Sequence, residues 1–92
     1  MIAGSTVRLT IQWVDWNGNP VTPTAQTLTI INSHGTTLAT IPGGSLTNTG
    51  TGAYYYDYPT PTLTAPDTLC AQWSATLQSE NDVRRFYFTV TP

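Results

Sequence analysis

A chain of 92 residues allows one domain and one core, and its 39% hydrophobic and 11% aromatic residues are enough to offset the entropy of folding. Only 9% of residues are charged, the net charge is −2, and Arg8, Arg84 and Arg85 are the three cations, too few for nucleic-acid binding driven by counterion release. No basic region precedes a long apolar stretch at Met1–Arg8, no run of about 18 apolar residues exists to cross a membrane, and the lone Cys70 excludes an internal disulfide.

The expectation is therefore a single domain over residues 1–92, made in a cytosol without a signal peptide and held together by its core alone.

Residues 5–16 alternate, with Val7, Leu9, Ile11 and Trp13 on one face and Arg8, Thr10 and Gln12 on the other. That is the period of a half-buried strand. It ends in Asp15-Trp16-Asn17-Gly18-Asn19-Pro20, where Asn-Gly supplies the positive φ of a tight turn and Pro20 stops further pairing. Gln26–Asn32 is a second strand, with Leu28 and Ile30 inward and Ile31 outward. Asn32-Ser33-His34-Gly35 reads as a hairpin turn, and Thr36–Ile41 returns antiparallel.

Pro42-Gly43-Gly44-Ser45 breaks that strand, and 47–52 is a loop or a short, weak strand. Ala53–Tyr58 places Tyr54, Tyr56 and Tyr58 on one face and Tyr55 and Asp57 on the other. Pro59, Pro61 and Pro66 make the next connection extended. Asp67–Leu77 turns Leu69, Ala71, Trp73 and Ala75 inward and Cys70, Gln72 and Ser74 outward. A turn at Ser79-Glu80-Asn81-Asp82 leads to a last strand, Val83–Val90, with Phe86, Phe88 and Val90 inward and Arg85, Tyr87 and Thr89 outward.

No segment carries a 3.6-residue apolar stripe. Short strands at roughly 8–12-residue spacing, with turn signals between them, point to an all-β, two-sheet antiparallel sandwich of about six to eight strands. Trp13 and Trp73 are its largest core fillers, and each indole N–H needs an acceptor.

Candidate chemistry is sparse. Asp15, Asn17 and Asn19 match the first oxygen ligands of an EF-hand loop, but Pro20 stands where that loop needs Gly and Gln26 where it needs Glu. The segment reads as a turn. Ser33 and His34 are adjacent in a hairpin turn, which is poor geometry for a nucleophile and its base. One His and one Cys cannot complete a zinc site. The expectation is a protein without catalytic residues, metal or cofactor. Trp16, Ile31, Tyr55 and Tyr87, at outward or turn positions, are the candidate protein-contact residues.

The run from Val14-Asp15-Trp16-Asn17-Gly18-Asn19-Pro20-Val21 through Gly52-Ala53-Tyr54-Tyr55-Tyr56-Asp57-Tyr58 to Cys70-Ala71-Gln72-Trp73-Ser74-Ala75 and Phe86-Tyr87-Phe88-Thr89-Val90 spans most of the chain. This pattern resembles small immunoglobulin-like structural proteins of tailed bacteriophages, encoded among head, neck and tail genes. It is also similar to the immunoglobulin-like repeats of bacterial surface proteins and macroglobulins. The phage resemblance implies an immunoglobulin-like sandwich acting as a non-enzymatic virion component at a head–tail joint, neck or capsid surface. Its partners would be other virion proteins and copies of itself, with neither nucleic acid nor membrane involved. A carbohydrate- or host-surface-binding module using exposed aromatics is the alternative.

Overall fold

The computed structural model describes residues 2, 4–63, 65–77 and 80–92. Among these residues, seven strands carry the fold: β1 (Thr6–Gln12), β2 (Thr24–Ile31), β3 (Thr37–Pro42), β4 (Thr47–Gly50), β5 (Ala53–Pro59), β6 (Asp67–Leu77) and β7 (Glu80–Val90). One 3-10 turn, Gly43–Ser45, separates β3 from β4.

The strands form a three-stranded sheet in the order β1-β5-β4 and a four-stranded sheet in the order β3-β2-β6-β7, with all pairing between them antiparallel. The chain changes sheet after β1, after β3 and after β5. Ile2 makes a single parallel bridge to Thr91, beyond the end of β7.

Burial follows the alternation read from the sequence because each sheet has one face in the core. Leu9, Ile11 and Trp13 meet Leu28, Ile30, Leu69, Ala71 and Trp73 between the sheets, and both tryptophans are fully buried. A fully buried large side chain contributes roughly 1.5–3 kcal/mol, so this layer carries much of the stability. Tyr58 is buried, and Tyr54 and Tyr56 pack against the same cluster, as their shared face requires.

The Trp13 indole donates to Gln26 Oε1 at 2.6 Å. The Trp73 indole, by contrast, finds no acceptor among the described residues. The expectation of a partner for each indole holds for one of them.

Four further details differ from the sequence reading or sharpen it. The stretch after the 3-10 turn is a strand: β4 pairs with β5 and is pinned by Asn48 Nδ2 donating to Gly50 O at 2.8 Å. Of the turn expected at 79–82, Ser79 lies outside the described residues. Glu80, Asn81 and Asp82 pair with Leu77, Thr76 and Ala75, because polar residues fit a strand at the sheet's wet edge. Phe86 lies on the inner face opposite Ala71 yet is 47% exposed, since three strands facing four leave the last one partly uncovered. Cys70 points outward as expected but is buried, because Ile31 and Tyr87 flank it across the sheet.

Candidate functional site

β7 is an eleven-residue strand at the edge of the larger sheet. Of the six large apolar residues exposed among those described, three lie on it: Val83, Phe86 and Tyr87. They occupy both faces, with Phe86 on the inner face and Val83 and Tyr87 on the outer. A strand apolar on both faces belongs inside a structure, and β7 stands at a margin.

The outer face beside it is built in rows. Ile31 on β2 lies opposite Cys70 on β6, and Cys70 lies opposite Tyr87 on β7. Flanked in this way by two larger side chains, Cys70 is 9% exposed although it points away from the core. The next row is polar: Thr29, Gln72 and Arg85 face one another, and Arg85 Nε donates to Gln72 Oε1 at 3.0 Å. Ile31, Cys70 and Tyr87 of the first row and Gln72 and Arg85 of the second, with the turn at Asn32, border a surface depression of about 400 Å³.

The depression therefore unites two of the four candidate contact residues, Ile31 and Tyr87. Tyr55 is elsewhere, on the outer face of the smaller sheet. It is half-buried, with the Arg8 guanidinium 4.0 Å from its ring centroid, so it is less open than its outward position implies. Arg8 also makes a two-point bond to Asp57, Nε to Oδ1 at 2.8 Å and Nη2 to Oδ2 at 3.1 Å. These bonds hold the Asp57 carboxyl below the usual carboxylate range and raise the guanidinium.

Trp16 is at a third place, at the tip of the loop after β1, and is 91% exposed. The loop is rigid locally: Asp15 Oδ1 accepts the N–H groups of Asn17 and Asn19, and Gly18 takes φ +81°. Asp15 here serves as a turn acceptor. Between this loop and the β6–β7 hairpin lies a second cavity of about 330 Å³, bordered by Trp16, Leu77, Glu80, Asp82 and Arg84. Arg84 donates to Asp82 at 3.1 Å, and its guanidinium lies 5.8 Å from the centroid of the Trp13 ring.

Ser33, His34 and Asp67 come near one another at the β2–β3 turn. Bonding from the Ser33 hydroxyl, with smaller help from the Ser33 and Thr68 N–H groups and the His34 charge, holds the Asp67 carboxyl below its usual range. Asn32 Oδ1 closes the same turn by accepting from His34 N and Thr36 N. Among the described residues, no three His, Cys, Asp or Glu side chains are grouped to hold a metal ion.

The sequence pattern placed Phe86 in the core and did not mark Val83, Cys70 or Arg85 as contact residues. The available signal was a terminal strand with apolar side chains on both faces. Comparison with protein families, curated proteins and solved structures yields no match for the chain.

Proposed function

We propose that this domain is a non-enzymatic structural protein acting by protein–protein contact in a symmetric assembly, with β7 and the Ile31–Cys70–Tyr87 row as its contact surface. One observation carries the reading: exposed apolar side chains are concentrated on a single edge strand. An edge strand with large apolar side chains exposed on both faces offers them to a neighbour that covers the edge. Thr68, Gln72, Arg85 and Thr89 supply a polar surround on β6 and β7. The likeness to immunoglobulin-like proteins of tailed phages gives the assembly its proposed setting, a virion at its head–tail joint, neck or capsid surface.

The test is incorporation. Particles of the encoding phage should contain the chain at a fixed multiple copy number, and Tyr87→Ala should lower its incorporation at least about tenfold, as loss of an aromatic anchor does. Particles lacking the chain, or normal incorporation of Tyr87→Ala, contradict the reading.

A second reading has its own observation. Trp16, exposed beside a cavity bordered by Glu80, Asp82 and Arg84, has the apolar platform and hydrogen-bonding groups that carbohydrate recognition uses. Glycan binding that disappears in Trp16→Ala favours it over the first.

A further inference from the structure

We infer that the free edge of β7 is the pairing edge for β7 of a second copy of this chain, antiparallel and centred on Phe86. The inference rests on the contact surface proposed above and names its partner.

Proteins blunt exposed edge strands with Lys, Pro, bulges or short length. β7 contains neither Lys nor Pro, and its pairing with β6 runs through all eleven residues without a register shift. The other edge strands are shorter: β1 has seven residues, β3 has six and β4 has four. β3 also ends in Pro42, and its pairing with β2 is interrupted by a register shift. Among the described residues, the only segment bridged to the far side of the β7 arm is Ile2, at Thr91. The free edge therefore ends before Thr91.

Symmetry limits the register. A two-fold axis through the middle of an antiparallel pair keeps inner face with inner face, so each possible register centres on one residue. Centring on Arg84 or Arg85 sets an arginine against itself, which is unfavourable. Centring on Tyr87 sends Val83 to the position opposite Thr91, which Ile2 occupies. Centring on Phe86 pairs ring with ring across the axis and places Arg85 opposite Tyr87 of the second copy, a cation over an aromatic face. Val83 then faces Thr89 of the second copy on the outer face, and Arg84 faces Phe88 on the inner. All three exposed apolar residues of β7 gain a partner.

The product is a continuous eight-stranded sheet made from two four-stranded halves. The contact is isologous, so it closes at two copies. Its backbone hydrogen bonds use N–H and C=O groups that an edge strand otherwise offers to water.

The test has three arms on the full chain. Sedimentation of the unaltered protein up to about 1 mM, a range that reveals weak contacts, should show a reversible dimer. Phe86→Lys should remain monomeric with an unchanged melting temperature. In a Cys70→Ala background, an oxidised mixture of Val83→Cys and Thr89→Cys should form the mixed disulfide at least about tenfold faster than either variant cross-links with itself, because directly opposed residues lie within disulfide reach.

A chain monomeric at every concentration, or cross-linking equally fast in all three samples, overturns the inference. Failure here is separable from failure of the function proposed above. A monomeric chain whose Tyr87→Ala variant is still lost from particles refutes self-pairing and leaves the contact surface standing. A Phe86-centred dimer whose Tyr87→Ala variant incorporates normally supports self-pairing and refutes the assembly role.

Discussion

The indole Nε1 of Trp13 donates to Oε1 of Gln26 across 2.6 Å, fastening the residue after β1 in one sheet to the irregular start of β2 in the other. Gln26 is held in place from behind. A Cβ added at Gly43 would lie 2.8 Å from its carbonyl oxygen, so the backbone of the 3-10 turn packs directly on it. Replacing Gln26 by Leu leaves a buried indole N–H without a partner. The expected cost is about 1–3 kcal/mol in denaturant melts, the penalty for an unsatisfied buried donor.

The two tryptophans separate packing from hydrogen bonding. Trp73→Ala should cost about 3–5 kcal/mol, as large aromatic truncations in cores do. Trp13→Phe should cost about 1 kcal/mol more than Trp73→Phe, because only Trp13 has a hydrogen bond to lose. Equal losses for the two Phe variants would show that the Gln26 bond contributes nothing net.

Gly52 and Gly35 both take positive φ, +72° and +82°, but their surroundings differ. A Cβ at Gly52 would lie 2.5 Å from Val21 O and 2.6 Å from Trp13 O, whereas one at Gly35 would meet nothing within 4 Å. Gly35→Ala should cost only the left-handed penalty of about 1–2 kcal/mol. Gly52→Ala adds a backbone clash to that penalty and should be the more destabilising variant by thermal melting.

The alternation of Val7 to Trp13 and of Leu69 to Ala75 was enough to assign faces, because a strand with one buried face must place every second residue in the core. Turn chemistry was equally local, as Asp15, Gly18 and Gly35 show. Coverage was not local. The sequence puts Phe86 on the inner face, but whether anything lies over it depends on how many strands the facing sheet contains. Cys70 is buried because Ile31 and Tyr87, distant in sequence, are its neighbours across the sheet, and no local pattern encodes that row. The same non-local pairing brought Ile31 and Tyr87 together and left Trp16 and Tyr55 apart.

Acid should weaken the fold through two carboxylates. The Arg8 hydrogen bonds hold Asp57 below its ordinary value of 3.8, so their contribution is present above that pH and is lost as pH falls through the lower folded value. Asp67 behaves alike, with Ser33 as the main cause. Both groups are solvent-facing, so each effect is small. Carboxyl-carbon NMR titration should give both midpoints below 3.8, with Arg8→Gln raising Asp57 alone and Ser33→Ala raising Asp67 alone. A rise in both from one substitution would show that the shifts have a shared cause.

Amide hydrogen exchange on the isolated chain and on the chain in its assembly tests the contact surface most directly. A contact surface on β7 requires slower exchange on assembly along Val83–Thr89 and around Ile31, with the outer face of β1 and Tyr55 unchanged. Protection confined to other segments, with β7 exchanging as fast in the assembly as in isolation, would contradict it.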